Sequence, residues 1–270
     1  WLARHRDQPQ RQGLSYEEST EGRWRIRSWT ARSMPRIRPE PHVADRFEAT
    51  PHVRLAYGLD WQDVGDAVRD ALIGLLRPDA PLNEMAAAIR ESAASDEPEA
   101  LARALHETVN RRMAPGGRAL DLSAPASVAA SAGEGNRLGV ALALSKELGL
   151  EPSLVLARPI DLSGRELDCP TTFAFPYAML GLTAGGSEVF LDYTGADHAF
   201  DTIPVQVAGS SGLRVPLEPA RPVELIEIPR RDPGLLQDQR AELSLGPEGR
   251  VSGEMSIALD TLPLTEIRRL

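Results

Sequence analysis

The chain has 270 residues, of which 42% are hydrophobic and 26% charged, and its formal net charge is −9. A chain of this size buries a sizeable core and is longer than one typical domain, and its acidic balance argues against a nucleic-acid partner, which normally requires a basic domain or face. The single cysteine, Cys169, excludes an internal disulfide and a cysteine-based zinc cluster, and because no run approaches the roughly 18 to 20 apolar residues of a membrane helix, we expect no membrane span in this segment.

Residues 1–60 are rich in Arg, Pro and Ser and contain alternating runs at positions 23–30 and 53–59. Short alternating runs bounded by prolines are typical of strands, so we predict the end of a β domain here. Trp24, Ile26 and Ser28 alternate with arginines, which favours a strand with one buried and one solvated face. An anionic-surface patch is the competing interpretation of these arginines, which are Arg23, Arg25, Arg27, Arg32, Arg36 and Arg38.

Apolar residues at steps of three and four predict three helices after position 60, the first with Asp60 as its N-cap. The stripes are Trp61, Val64, Val68, Leu72 and Leu75; then Leu82, Met85 and Ile89; then Leu101, Leu105, Val109 and Met113. The third helix is followed by "APGG", a stop signal. A fourth helix is predicted over residues 136–148 and is closed by Gly149.

After Gly149 the hydrophobic period changes to two, which indicates strands. "PSLVLARP", "TTFAFPYAMLGLT" and "SEVFLDYT" are predicted as three strands, and "AGG" between the last two is a hairpin signal. "RAELSLGPEGRVSGEMSIALD" predicts two more strands about a Gly-Pro-Glu-Gly turn. Helices packed on a mostly antiparallel sheet make an α+β fold.

The glycine-rich turn and helix in "SAGEGNRLGVALALSKELGLEPSLVLARP", followed by "VFLDYT", resemble the core of the bacterial transglutaminase-like superfamily, whose chemistry is papain-like. The resemblance implies a transglutaminase-like core over residues 61–207. It also implies the C-terminal part of a β-sandwich domain over residues 1–60. A connection and the start of a C-terminal β domain, expected to be truncated, would occupy residues 208–270.

The family motif carries a cysteine before the helix, a histidine on the next strand and an aspartate in a "W-L-D-P-T" segment. The helix dipole and the histidine favour the thiolate, and the aspartate orients the histidine. The resemblance places Glu134 at the cysteine position, Tyr177 at the histidine position and Asp192 at the aspartate position. Because Glu is a poor nucleophile towards amides and Tyr a poor base near neutral pH, we expect no catalytic residue here, and no metal or cofactor.

Other nucleophiles and ligands are available in the sequence. Cys169 lies in a loop before a strand, where a lone cysteine is more often a small buried hydrophobe than a nucleophile. A serine and histidine pairing would have to draw on Ser127 or Ser131 with His106 or His198. Asp192, Asp197, His198 and Asp201 match no metal-ligand spacing, so we interpret that segment as a loop.

The resulting expectation is a catalytically inactive transglutaminase-like protein. It would act as a binding or scaffolding module for a protein or peptide partner, and the resemblance places it in the bacterial periplasm or elsewhere in the cell envelope. The alternative is a hydrolase or transferase with a rearranged active site that uses Glu134 and Asp192. A third possibility is a purely structural domain whose old cleft is filled by Phe175, Tyr177 and Phe190.

Overall fold

A computed structural model describes residues 14–32, 58–114, 124–160, 167, 169–195, 199–230 and 236–260. Several predicted features lie outside these ranges. They are most of the alternating run at 53–59, the arginines Arg36 and Arg38, and the loop residues Asp197 and His198.

The predicted strand in the arginine-rich segment is confirmed. Strand β2 (Trp24–Ala31) pairs antiparallel with β1 (Leu14–Glu21). The predicted burial is wrong, because Trp24 is 65% and Ile26 is 38% exposed. Which face of a hairpin is buried depends on what covers it, and the alternation alone does not contain that information.

Two arginines of this hairpin, Arg25 and Arg27, are paired. Glu18 lies on the same face as Arg25 and Arg27, and its carboxylate contacts the Nε of Arg25 at 3.4 Å and accepts from the Nε of Arg27 at 3.0 Å. Tyr16 donates its hydroxyl to the same carboxylate at 2.6 Å. Paired arginines favour the solvated-face interpretation over an anionic-surface patch.

Five helices follow in the described ranges. They are α1 (Trp61–Ile73), α2 (Ala80–Ser92), α3 (Pro98–Arg112), α4 (Ala126–Ala132) and α5 (Arg137–Glu147). All four predicted helices are confirmed, and the small α4 in the ambiguous segment before Gly135 was not predicted. Asp60 is the N-cap of α1: its side chain accepts from Asp63 N at 2.9 Å while the Asp63 side chain accepts from Asp60 N at 2.9 Å, a capping box.

The central sheet has five antiparallel strands in the order β5-β4-β3-β6-β7. They are β3 (Pro152–Ala157), β4 (Tyr177–Ala184), β5 (Ser187–Leu191), β6 (Ser211–Pro216) and β7 (Glu224–Glu227). Helix α5 is buried along almost its whole length and contacts β3, β4 and helices α2, α3 and α4. The predicted α+β fold is confirmed.

The run "TTFAFPYAMLGLT" is not one strand. It divides into a 3-10 turn at Thr172–Ala174 and strand β4, which begins at Tyr177. Thr171 Oγ1 accepts from Phe173 N at 3.3 Å and so stabilises the turn. Pro176 has no N–H to donate to a sheet between two neighbours, which explains why β4 begins after it.

Both predicted hairpins are confirmed. Gly185 and Gly186 connect β4 to β5 with φ of 58° and 80°, as a two-residue turn with positive φ at both positions requires. Strands β8 (Leu236–Leu245) and β9 (Val251–Asp260) pair antiparallel about the Gly-Pro-Glu-Gly turn. In the described ranges, no helix combines the length and the apolar character that crossing a bilayer demands.

Candidate functional site at one end of the sheet

Four strands and one helix meet at one end of the central sheet. The register pairs Ala157, the last residue of β3, with Tyr177, the first residue of β4, and with Gly212 near the start of β6. Strand β5 ends at the same end of the sheet, just before Asp192. The first residue of α5, Arg137, donates to the Tyr193 carbonyl oxygen at 2.9 Å, so this helix also begins here.

The structure brings Tyr177 and Asp192 into direct contact. The Tyr177 hydroxyl donates to Asp192 Oδ2 at 2.7 Å and lies 2.7 Å from Thr194 Oγ1. The sequence pattern does not single out Thr194, although the side chain of an aspartate commonly accepts a hydrogen bond from the backbone N–H two residues further on. The candidate site is therefore a cluster of Tyr177, Asp192 and Thr194, and Thr194 is its exposed member.

Both carboxylate oxygens of Asp192 accept hydrogen bonds from neutral donors. Oδ1 accepts from Thr194 N at 2.8 Å, and Oδ2 accepts from the Tyr177 hydroxyl. The Thr194 hydroxyl lies 2.8 Å from Oδ1 and 3.0 Å from Oδ2. Because Asp192 is also only 1% exposed, its carboxylate acts as a hydrogen-bonded anchor for this loop.

Tyr177 is a donor in this cluster and not a base. Burial raises the pKa of its phenol well above the usual value, and the neighbouring charge of Asp192 raises this pKa further. The phenol therefore keeps its proton throughout the neutral range. A general base must be deprotonated near the working pH so that it can accept a proton, and the phenol of Tyr177 is not.

Two tyrosines of this region should make the protein sensitive to alkali. Burial also raises the pKa of Tyr193, whose hydroxyl is buried without a hydrogen-bond partner among the described residues. Tyrosines ionise near pH 10 in the unfolded chain, about where model peptides do. The folded chain then binds more protons than the unfolded one, so the stability that is fully present below about pH 10 falls as the pH rises further.

We expect the free energy of unfolding to decrease between about pH 10 and pH 11 by at most about 1.4 kcal/mol per pH unit for each tyrosine, and by less for the partly exposed Tyr177. Urea unfolding at a series of pH values measures this slope. The double variant Tyr177→Phe/Tyr193→Phe should show a shallower slope than the parent chain. Equal slopes would mean that neither tyrosine is responsible.

Glu134 does not join the cluster. It is exposed, it lies between Gly133 (φ 68°) and Gly135 (φ 102°), and it makes no hydrogen bond with Tyr177 or Asp192. The residue that caps α5 is Asn136, whose side chain accepts from Gly139 N at 2.9 Å. Of the three positions that the resemblance singles out, the structure joins only Tyr177 and Asp192.

A buried arginine holds the loop that follows Asp192. Arg137 is 3% exposed and donates to Asn110 Oδ1 at 3.1 Å, to the Tyr193 carbonyl and to the Gly195 carbonyl. Asn110 in turn contacts His106 Nε2 at 3.1 Å. Nothing in the sequence pattern separates Arg137 from a solvent-exposed arginine, which explains why sequence reasoning missed it.

The other candidate groups do not assemble into a site within the described ranges. His106 is buried and packs its ring 5.6 Å from that of Tyr193, whereas Ser131 is exposed, and neither Ser127 nor Ser131 bonds to His106. Cys169 is half-buried in the loop before the 3-10 turn. Across the described ranges, no three His, Cys, Asp or Glu side chains are grouped as a metal site would require.

The three aromatic residues suggested as filling one cleft belong to two different clusters. Phe175 packs in the helix-side core, with its ring 5.5 Å from that of Trp61. Phe190 packs on the opposite face of the sheet, where Tyr177 is also found. The suggestion of a single aromatic plug is therefore wrong, because Phe175 ends the 3-10 turn before Pro176 and is not part of β4, so its side chain packs on the helix side while Tyr177 packs on the other side.

Comparisons with known proteins show a likeness in fold only. No family model matches the chain, and no curated protein matches it. A crystal structure of a protein from Parabacteroides distasonis described as a "putative protease" matches with a TM-score of 0.54 at 15% identity. The match covers 81% of this chain and 41% of that protein, so the chain spans about two fifths of its length.

Proposed function

We propose that this chain has a transglutaminase-like core that keeps the fold without the chemistry, and that it acts as a binding or scaffolding module. The observation that carries the proposal is the hydrogen bond from the Tyr177 hydroxyl to Asp192 Oδ2 at 2.7 Å. In the family that the sequence resembles, a histidine at this position would face the same aspartate. Here a protonated phenol takes its place.

Chemistry of the papain type needs a thiolate and a base near neutral pKa. Glu134 at the cysteine position is a poor nucleophile, and the raised pKa of Tyr177 removes it as a base. The fold likeness to a protein described as a protease supports a hydrolase-like ancestry for the core. The expected partner is a protein or peptide, and the placement in the periplasm or cell envelope follows from the sequence resemblance alone.

The rearranged enzyme that uses Glu134 and Asp192 receives little support. Such a site needs the two carboxylates close enough to shift each other's ionisation or to share a cation. Glu134 is exposed and not bonded to Asp192, while Asp192 is buried with both oxygens engaged. We therefore do not adopt this alternative.

The test is an assay of hydrolysis and cross-linking on the whole chain. Labelled casein, with and without monodansylcadaverine as an acceptor amine, should show no release of label and no amine incorporation above a control without protein. The Glu134→Ala variant serves as the matched comparison, because this side chain is exposed and its removal should change stability little. Turnover by the parent chain that Glu134→Ala abolishes would overturn the proposal.

A further inference from the structure

The central sheet has two edge strands, β5 and β7, and they differ in what lies along them. An edge strand directs half of its backbone N–H and C=O groups away from the sheet, where another strand can pair with them. On β5, Phe190 N donates to Asp201 Oδ1 at 2.9 Å. Asp201 adopts φ of 60°, a left-handed conformation that is uncommon outside glycine. The side chain of Asp201 therefore occupies part of the β5 edge, which limits pairing there.

The backbone of β7 alternates between facing β6 and facing outward. Ile228 N, just after the strand, donates to the Ser210 carbonyl oxygen at 2.7 Å. In an antiparallel pair, the residues that exchange hydrogen bonds with one neighbour recur at every second position. The register therefore turns the even-numbered residues of β7 towards β6 and directs the backbone groups of Leu225 and Glu227 outward.

Val223, just before β7, follows the same alternation. Its N–H points away from β6 and donates to Gln62 Oε1 on α1 at 2.9 Å. In the part of the chain that the structure describes, no hydrogen bond occupies the outward N–H and C=O groups of Leu225 and Glu227. The edge of β7 therefore offers two donors and two acceptors to a further strand.

The side chains of Leu225 and Glu227 lie on the same face of the sheet. Leu225 pairs with Leu213, a residue of the helix-side core, and alternate residues of a strand share a face. Leu225 is 45% exposed, and Glu227 is also exposed. An antiparallel strand added at this edge would place one residue opposite each of them, two positions apart in its own sequence. The matching pair is an apolar residue opposite Leu225 and a cation opposite Glu227.

The charges near β7 are mostly acidic, and the arginines among them are engaged. Strand β7 packs against α1 and β6. Together the three elements carry two arginines and five acids, which are Asp63, Asp66, Asp70, Glu224 and Glu227. Arg69 contacts Asp66 Oδ1 at 2.5 Å, and Arg214 contacts Glu224 Oε2 at 3.1 Å. The excess charge that these elements present to a partner is negative.

Two further arginines flank the strand, and neither pairs with Glu227. Arg221 contacts Glu151 Oε2 at 2.6 Å. Arg230 packs against Gly209 so closely that a Cβ at Gly209 would collide with it. Within the described residues, no cationic side chain forms an ion pair with Glu227. Its carboxylate is therefore available to a cation of a partner.

A second copy of this chain fits this edge poorly. Two copies of β7 would bring the same acids together, and like charges on paired strands are destabilising. An edge of four residues is also far smaller than the roughly 20 to 30 residues that each side of a stable protein interface contributes. A single extended segment gains its affinity from main-chain hydrogen bonds, so it suits an edge of this length.

We propose that β7 is a docking edge for an extended segment of a protein partner. The segment would pair antiparallel, as every strand of the central sheet does. It would carry a basic residue opposite Glu227 and, two residues later, an apolar residue opposite Leu225. This inference rests on the proposed binding function and gives it a location and a ligand chemistry.

The probe is a fluorescein-labelled, capped peptide of seven residues, with lysine at the third position, leucine at the fifth and threonine elsewhere. Fluorescence polarisation with the whole chain should give a Kd between about 10 and 500 μM, in keeping with a short segment. N-methylation of the lysine and the leucine removes the two N–H groups that would face β7, so it should weaken binding at least about tenfold. N-methylation of the second and fourth residues, whose N–H groups would face away, should change the Kd by no more than about twofold.

A charge exchange tests the position of the lysine. Glu227→Lys should weaken binding of the lysine peptide about fivefold and strengthen binding of a peptide with glutamate in its place about fivefold. The matched control is Glu91→Lys, the same change at an exposed residue of α2. It should leave both Kd values unchanged in about 0.15 M salt, where charges more than about 8 Å apart are largely screened. Circular dichroism should show the same melting temperature for the parent chain and Glu227→Lys.

Several outcomes would overturn the docking edge. Absence of peptide binding at about 1 mM protein would do so. Equal weakening by the two patterns of N-methylation, or equal effects of Glu227→Lys and Glu91→Lys, would do the same. A dimer of the parent chain in sedimentation equilibrium, with no binding of the peptide, would identify a second copy as the occupant of this edge.

Mass spectrometry of the recovered peptide separates this inference from the proposed function. Bound and intact peptide supports both. Peptide that binds in a Glu227-dependent manner and is cleaved overturns only the proposal of an inactive core, whereas unbound and intact peptide overturns only the docking edge.

Discussion

Replacing Arg69 by Met should lower the free energy of unfolding by about 2 to 4 kcal/mol, since it removes one short hydrogen bond to a charged group, which contributes about 1.5 to 3 kcal/mol, and one longer, weaker bond. Arg69 is 4% exposed and joins α1 to the far end of the sheet. Its Nε donates to the Pro216 carbonyl at 2.7 Å, and its NH2 group donates to the Arg221 carbonyl at 3.3 Å. Methionine fills the space of the side-chain stem but leaves both carbonyls without their donor.

The matched control is Arg112→Met. Arg112 is exposed at the last position of α3, so its replacement should change the free energy of unfolding by no more than about 0.5 kcal/mol. Urea unfolding of both variants and the parent chain measures the two effects with the same probe. A loss below about 1 kcal/mol for Arg69→Met would mean that water replaces the arginine at these carbonyls.

Arg69 also illustrates what the sequence does not contain. The helix that carries it was predicted from the apolar stripe that starts at Trp61 and from the cap at Asp60, both of which are local signals. The acceptors of Arg69 lie 147 and 152 residues further along the chain. A buried arginine and an exposed one look alike in a helical pattern, because only the tertiary fold supplies the carbonyls.

For the strands, too, the features set by local sequence were predictable and those set by tertiary neighbours were not. Two glycines and two alternating runs were enough to predict the β4 and β5 hairpin. The start of β4 was placed too early, although Pro176 within the run was a visible warning. Trp24 lies in a strand as predicted, but the prediction that its side chain is buried is wrong. An alternating pattern does not show which other elements cover a strand, and these elements decide burial. The proposed domain boundaries at residues 60 and 207 remain predictions.

At the candidate site, the resemblance singled out residues and the structure supplied their contacts. It pointed to Tyr177 and Asp192, which meet at 2.7 Å. It also pointed to Glu134, which stays in solvent because the α5 helix begins two residues later at its Asn136 cap. Thr194 and Arg137, which hold the Asp192 loop in place, carry no motif of their own.

The second large effect is expected for Asp192→Ala, which should lower the free energy of unfolding by about 3 kcal/mol. The substitution removes the acceptors of the Tyr177 hydroxyl and of Thr194 N, and it leaves a space at a position that is 1% exposed. Glu134→Ala should change stability by no more than about 0.5 kcal/mol, because this side chain is exposed. Urea unfolding near neutral pH measures both, and Tyr177→Phe should fall between them because it removes one of these bonds.

The double variant Glu134→Ala/Asp192→Ala tests whether the two carboxylates act on each other. Two residues that do not interact should have additive effects within about 0.5 kcal/mol. Additivity is expected here, because Glu134 makes no hydrogen bond with Asp192. A coupling above about 1 kcal/mol would show that the two carboxylates act on each other in solution. That result would return the rearranged acid/base site to consideration. Additive effects would leave Asp192 as a structural anchor of the loop that contains Thr194.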